Sequence, residues 1–150
     1  MDTRQCLDIA RASLEAFNAR DWDRFKSLLA PNGVYDEVAT GRRMTGRDEI
    51  VEAVRGWTTA FPDAEGTIER ATATQDTVVL EITYRGTHQG ELSGPGGTIA
   101  PTGRSMVTRA AEVFRISDGL IVENCNYFDM LGMMQALGAI PAEGAREAGT

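Results

Sequence analysis

The spacing of apolar residues changes once along the chain, at Gly66, and this change constrains the fold more than any other feature. Before Gly66 the apolar residues recur every three or four positions, which is typical of amphipathic helices. After Gly66 they alternate with a period of two, which indicates strands with one buried face. Helices followed by consecutive strands predict an α+β fold, with N-terminal helices packed on one face of a strongly bent antiparallel sheet.

The first half of the chain predicts three helices and one short strand. The first helix has a buried stripe of Leu7, Ala10, Leu14 and Phe17. Asp21 is expected to cap a short second helix, which the turn residues 30–33 should end. A short strand is predicted over 34–38. Thr45 begins a capping-box-like TGRD sequence for the third helix, and Pro62 ends that helix.

The second half predicts an antiparallel meander and a closing helix. The expected strands are 67–74, 77–92, 104–116 and 120–129, and the expected helix is 130–137. Gln75-Asp76 is a turn, and residues 93–103 are a glycine-rich flexible loop. Residues 1–140 therefore predict a single domain, with 141–150 as a flexible tail.

Composition excludes several classes of function. A net charge of −7 argues against nucleic acid or an anionic membrane as the main partner. The sequence has no long apolar segment, and its charged N-terminus does not resemble a signal peptide, so a cytoplasmic location is expected. Two cysteines and one histidine do not suggest a metal site, and no cofactor-binding motif is evident.

The hairpin over 112–129 has polar residues on its apolar face. Ser117-Asp118-Gly119 predicts a three-residue loop, which would place Glu112 opposite Asn124 and Ala110 opposite Asn126. By parity these side chains point inward with Phe114 and Phe128. A buried and unpaired polar group costs about 1–3 kcal/mol, so these residues predict either a satisfied polar network or the wall of a ligand pocket.

The sequence FRISDGLIVENCNYFDMLGMMQALG resembles the C-terminal hairpin and helix of SnoaL-like polyketide cyclases, which belong to the nuclear-transport-factor-two-like superfamily. EAFNARDWDRF, GWTTAFPDAE, GTHQGEL and PTGR match the family in consistent order, from about residue 11 to 138. The resemblance implies a cone-shaped α+β barrel that encloses one pocket, usually in a homodimer. It also implies a small hydrophobic organic substrate.

The resemblance assigns positions in the pocket. With the sequences aligned on Leu131-Gly132, the acid/base aspartate of the family's cyclases falls on Asn126. Two pocket partners, a glutamine and a histidine in the characterised type, fall on Ala110 and Glu112. An amide does not exchange a proton near neutral pH, so the family's usual catalytic acid is absent from this chain.

Three residues are candidates for catalysis: Glu112, His88 and Asn126. Burial beside Phe114 would raise the pKa of Glu112 and suit it to proton transfer, although it could instead pair with Arg109 or Arg85. His88, the only histidine, could be a second base or a rim residue bonded to the backbone.

The remaining candidates would bind or position the substrate. Asn124 and Asn126 could orient a carbonyl group or a water, although Asn124 could instead bond only to Glu112 across the strands. Asp129 could cap the last helix or reach the pocket. Substrate binding is assigned to Asn124, Phe128, Ala110, Trp57, Tyr35 and Phe114.

The sequence therefore predicts an enzyme that binds a small cyclic or aromatic, polyketide-like substrate. Its chemistry would be cofactor-independent proton transfer, in a cyclisation, isomerisation or hydrolysis. One alternative is a cofactor-free hydroxylase of the same family. Another is a ligand-binding or dimerisation module without turnover. The asparagine at the position of the family's acid is what a catalytic site that has lost its activity would have.

Overall fold

A computed structural model describes residues 2–94 and 96–141 of the 150 residues. This part of the chain contains four helices: α1 Thr3–Ala19, α2 Trp22–Ser27, α3 Arg47–Ala60 and α4 Met130–Ala136. It also contains eight strands: β1 Leu29–Glu37, β2 Arg42–Thr45, β3 Glu65–Thr74, β4 Thr77–Thr87, β5 Leu92–Gly94, β6 Gly97–Ile99, β7 Ser105–Ser117 and β8 Leu120–Phe128. None of the described helices is long and apolar enough to cross a membrane. Apart from Pro141, the predicted flexible tail lies outside the described residues.

Six strands form one curled sheet in the order β2-β1-β8-β7-β4-β3, and β5 pairs with β6 separately. Helices α1 and α3 pack on the large sheet, and α4 packs on β7. The predicted α+β fold, with N-terminal helices on a bent sheet and a short C-terminal helix, is confirmed. The sheet is mixed, because β1 runs parallel to β8 whereas its other pairs are antiparallel. This pairing places the first strand beside the last.

Helix α1 is fixed against the sheet at Gly66. Asn18 donates to the Gly66 carbonyl and accepts from its N–H, both at 2.9 Å. A Cβ atom at position 66 would lie 2.7 Å from Leu14 Cδ1 and 2.8 Å from the Tyr84 ring. Glycine therefore permits the close approach of helix and sheet.

The ends of the helices agree with the sequence in one case and differ in two. Asp21 caps α2 by accepting from the Arg24 N–H, as predicted. The predicted capping box at Thr45 is wrong, because Thr45 belongs to β2 and Gly46, with φ of 93°, is the N-cap of α3. Residues 30–33 do not form the predicted stop, because they belong to β1.

The β7–β8 hairpin has the predicted inward parity but a different register. Asp118 and Gly119, with φ of 52° and 77°, form a two-residue turn instead of a three-residue loop. The shorter turn moves the pairing by one position relative to the prediction, and a bulge at Val122 moves it by one more. Glu112 therefore lies opposite Asn126 and Phe114 opposite Asn124.

The predicted strand 77–92 is too long, because β4 ends at Thr87. Within the predicted loop 93–103, the chain forms most of the β5–β6 hairpin instead. The N–H groups of Gln89 and Gly90 both donate to the Ala60 carbonyl at the end of α3. This segment therefore packs against a helix end, which the alternation of residues could not indicate.

Candidate functional site

A cavity of about 90 Å³ lies between the helices and the large sheet. Its wall is mostly aromatic and aliphatic, and its polar lining residues are Ser13, Tyr35, Tyr84, Thr108, Glu112, Asn124 and Asn126. An engineered cavity of about 150 Å³ accommodates benzene, so an aromatic ligand requires lining side chains to move. Met106 and Met133 are the most adaptable of these, because methionine has several rotatable bonds.

Seven of the nine predicted site residues line this cavity: Tyr35, Trp57, Glu112, Phe114, Asn124, Asn126 and Phe128. The other two do not. Ala110 is buried on β7 opposite Phe128, and His88 lies beyond the end of β4. Of the hairpin residues that strand parity selected, the structure therefore brings all but Ala110 to the cavity wall, and it separates them from the histidine.

Glu112 is 6% exposed, and its carboxylate accepts two hydrogen bonds. Asn124 Nδ2 donates to Oε1 at 3.1 Å, and the Tyr84 hydroxyl donates to Oε2. Burial raises the pKa of Glu112, the two hydrogen bonds oppose the rise, and the nearby charge of Glu37 adds to it. In the described part of the chain, Glu112 has no arginine partner, so the alternative pair with Arg85 or Arg109 is not formed.

Asn124 and Asn126, called the amide pair below, are held through their nitrogens. Asn124 donates to Glu112, the cross-strand bond that was one alternative for this residue. Asn126 Nδ2 donates to the Tyr35 hydroxyl at 3.0 Å. The two Oδ1 atoms are buried and have no hydrogen-bond partner among the described residues.

A buried carboxylate, Glu37, lies behind the cavity wall and was not among the predicted site residues. Glu37 is 0% exposed, and its Oε2 accepts from the Tyr35 hydroxyl at 3.0 Å and from Trp57 Nε1 at 2.9 Å. Its Oε1 accepts from the Thr40 hydroxyl and from Arg42, whose Nε lies at 2.9 Å. We call these five residues the Glu37 cluster. It fixes Tyr35 and Trp57, two residues of the cavity wall.

Sequence reasoning also missed Tyr84 as a site residue. Burial raises the pKa of Tyr84 well above its usual range, with the charge of Glu112 as the next cause. Burial and the charge of Glu37 do the same for Tyr35. The parity of β4 already placed Tyr84 inward, and the inward position of Tyr35 implied the same for Glu37 two residues later. The signal was therefore present for both residues.

His88 is completely buried outside the cavity lining. Its Nδ1 accepts from the Thr102 N–H at 3.2 Å and lies 3.0 Å from the Thr102 hydroxyl. Its ring lies 5.4 Å from that of Phe61, centroid to centroid, and its Nε2 has no partner within the described ranges. The predicted pocket position is not observed, because β4 ends one residue before His88.

Asp129 forms the helix cap that was one of its two predicted roles. Its Oδ1 accepts from the Gly132 N–H at 2.8 Å at the start of α4. This contact satisfies a free N–H group of the first turn. Asp129 is not among the residues that line the cavity.

The titrating groups of the cavity lining define its chemistry. Glu112, Tyr35 and Tyr84 are the lining residues that can exchange a proton, and both tyrosines stay protonated near neutral pH. Glu112, with its pKa raised, is therefore the lining group suited to act as a general base or acid. No group of three or more metal-binding side chains is close together in the described residues.

The sequence profile described as SnoaL-like polyketide cyclase matches residues 7–137. No curated protein sequence matches the chain significantly. Among solved structures, a protein from Jannaschia sp. CCS1 that is described as SnoaL-like, and to which a polyketide cyclase activity is attributed, is 20% identical, with a TM-score of 0.82, over 93% of this chain and 95% of that one.

Two further structures are more similar in sequence. IdmH from Streptomyces antibioticus, to which a polyketide cyclase activity is attributed, is 28% identical with a TM-score of 0.76, over 89% of this chain and 99% of that one. AclR from Streptomyces galilaeus, to which a hydroxylase activity is attributed, is 26% identical with a TM-score of 0.80, over 98% of this chain and 90% of that one. Similar folds therefore carry different attributed chemistries.

Proposed function

The chain belongs to the SnoaL-like polyketide cyclase family, and on this premise we propose that it is an enzyme of cofactor-independent proton transfer. It binds a small cyclic or aromatic, polyketide-like molecule in the cavity between the helices and the sheet. The observation that carries the proposal is the burial of Glu112 in the cavity wall with a raised pKa. A cyclisation, an isomerisation and a hydrolysis each need such a group.

In this proposal Glu112 removes a proton from the substrate. The two donated hydrogen bonds from Tyr84 and Asn124 leave further acceptor positions on its carboxylate. A C–H group next to a carbonyl, placed against the carboxylate, would lose its proton to an oxygen of Glu112. The proton would then return to another atom of the same substrate.

Asn126 has a positioning role, since its amide cannot exchange a proton. It is attached through Tyr35 to Glu37, which is buried and has a charged partner in Arg42. At the position of the family's catalytic aspartate, this chain thus has a rigidly held asparagine, which has the same size but no acid group. The proton-transfer role is assigned to Glu112 alone.

Exchange of activated C–H hydrogens for deuterium tests the proposal without knowledge of the natural substrate. We expect the protein to accelerate exchange at the carbons next to the carbonyl of 2-tetralone in D₂O, followed by NMR. Glu112→Gln should lower the protein-dependent rate by about 10²–10⁴-fold, which is typical for loss of a general base. Glu123→Gln is the matched control. Glu123 does not line the cavity, and its Oε1 lies 3.0 Å from Arg115 Nε.

The outcomes separate the proposed roles. An unchanged rate in Glu112→Gln, with the fold intact, would remove Glu112 from the mechanism. Binding of aromatic ketones without any acceleration by the wild type would favour the alternative of a binding module without turnover.

The similarity to AclR supports a cofactor-free hydroxylase as the second candidate. In that reaction an electron-rich phenolic substrate would lose its O–H proton to Glu112, and a ring carbon of the resulting anion would bond to O₂ to form a hydroperoxide. Loss of water from the hydroperoxide would leave a quinone, so the substrate itself would supply the four electrons that reduce O₂. An oxygen electrode distinguishes the two candidates. Oxygen uptake that depends on both protein and a polyphenolic substrate favours the hydroxylase, and its absence during turnover excludes it.

A further inference from the structure

The amide pair leaves two hydrogen-bond acceptors unused in the cavity wall. Asn124 and Asn126 lie two residues apart on β8, and both residues line the cavity. Their Oδ1 atoms are buried without a partner among the described residues, whereas each Nδ2 atom has one. Buried polar atoms without a partner are rare in folded proteins, so two together at a cavity indicate a ligand that would satisfy them.

The orientation of Asn126 follows from the Glu37 cluster. Arg42 and Trp57 can only donate, so the Glu37 carboxylate acts as their acceptor. The single proton of the Tyr35 hydroxyl is donated to the same carboxylate, and the Tyr35 oxygen is left to accept. Asn126 must therefore present its nitrogen to Tyr35, which leaves its oxygen for the cavity.

The orientation of Asn124 follows from Glu112 by the same reasoning. The Tyr84 hydroxyl donates to Oε2 of Glu112, and Asn124 lies at Oε1. An ionised carboxylate can only accept, so Asn124 presents its nitrogen and keeps its oxygen free. Each amide is thus oriented by a carboxylate. Glu112 orients Asn124 directly, and Glu37 orients Asn126 through the Tyr35 hydroxyl.

We propose that the cavity selects ligands that donate two hydrogen bonds to the amide pair, namely rings with two hydroxyl groups in phenol or enol form. A ligand with ketone or ether oxygens in the same places would present only acceptors to the two Oδ1 atoms, which are themselves acceptors, so no hydrogen bond could form. Residues two apart on a strand are about 6.6–6.8 Å apart, so the two hydroxyls belong to non-adjacent ring positions. The inference rests on the proposed function only in taking this cavity as the ligand site.

Binding of three matched probes, measured by NMR titration at a pH where the resorcinol hydroxyls keep their protons, tests the inference. Resorcinol carries two hydroxyl donors on non-adjacent carbons. 1,3-Difluorobenzene has nearly the same shape without donors, and 1,3-dimethoxybenzene has only acceptors. We expect resorcinol to bind about 10–100-fold more tightly than either analogue, as is typical for sites with buried polar groups to satisfy.

Substitution of the amides should remove this preference. Asn124→Leu and Asn126→Leu each lose one acceptor, and we expect the preference to fall by about 3–10-fold in each. Tyr35→Phe keeps both amides but removes the group that orients Asn126, so the preference should fall there as well. Asn32→Leu, the same change at an exposed position, is the control and should retain the wild-type preference.

The wild-type comparison does not depend on the folding of any variant. Equal binding of resorcinol and 1,3-difluorobenzene by the wild type would overturn the inference and leave the cavity as a ligand site. A preference that survives in folded Asn124→Leu and Asn126→Leu would also overturn it. Binding of none of the probes would overturn both the inference and the proposed ligand site.

Discussion

Substitution of Glu37 by glutamine tests whether the Glu37 cluster holds the cavity wall in place. Glutamine has nearly the same shape, so the change alters hydrogen bonding without opening a cavity. The carboxylate accepts from two groups at each oxygen. Whichever oxygen becomes an NH₂ group then meets either Arg42 or Trp57, and neither can accept a hydrogen bond.

The magnitude follows from burial. Removing one partner of a buried charge pair typically costs about 3–5 kcal/mol. Arg42 is 35% exposed and can be partly hydrated, whereas Glu37 is 0% exposed. We therefore expect Glu37→Gln to lower the free energy of unfolding by about 2–4 kcal/mol, which corresponds to a Tm lower by roughly 4–16 °C for a domain of this size.

Urea unfolding followed by circular dichroism measures this loss, and Asp36→Asn provides the matched control on the neighbouring residue. Asp36 pairs with Arg43 at 3.3 Å on an exposed surface, so its loss should change stability by less than about 0.5 kcal/mol. If Glu37→Gln costs no more than Asp36→Asn, the Glu37 cluster is not a major source of stability and the reasoning fails.

Two further predictions concern Glu112 and Asp129. Because the pKa of Glu112 is raised in the folded state, its contribution to stability is complete below the ordinary glutamate pKa and is lost as pH rises through the raised value. The stability of Glu112→Gln should therefore decline less than that of the wild type as pH rises above the ordinary glutamate pKa of about 4.3, and parallel pH profiles in urea unfolding would contradict this. Asp129→Ala removes the 2.8 Å cap of α4 and should cost about 0.5–2 kcal/mol. Asp129→Asn should restore most of that loss in thermal unfolding, and equal losses in the two variants would show that the cap is unimportant.

The parts of the fold that depend on neighbouring residues could be predicted from the sequence. Helical spacing located α1, and alternation placed Glu112 and Phe114 inward on β7. The register of the hairpin could not be predicted, because a two-residue turn with a bulge and a three-residue loop both satisfy the same alternation. Parity survives such a shift of two positions, so the site residues were still correctly placed on the inner face.

Contacts between distant segments account for the failures. The pairing of β1 with β8 has no local signal, so the bond between Tyr35 and Asn126 was not foreseen. Glu37 follows from the parity of Tyr35, but its partner Trp57 comes from a helix. His88 was assigned to the pocket by extending alternation past Thr87, where the strand had already ended.

The parallel pairing of β1 with β8 has a consequence for the order in which the protein is assembled during synthesis. Three partners of Glu37 lie within five residues of it, at positions 35, 40 and 42, so this carboxylate is partnered as soon as β1 and β2 pair. Asn126, which donates a hydrogen bond to Tyr35, lies 91 residues further along the chain and is synthesised much later. Because synthesis proceeds from the N-terminus, a ribosome-bound chain that ends before β8 can form the Glu37 cluster but has no amide pair, and protease protection of stalled chains would show the two stages. The proposed ligand site therefore belongs to the last part of the sheet to form, and we expect a nascent chain to bind no ligand there before β8 has emerged.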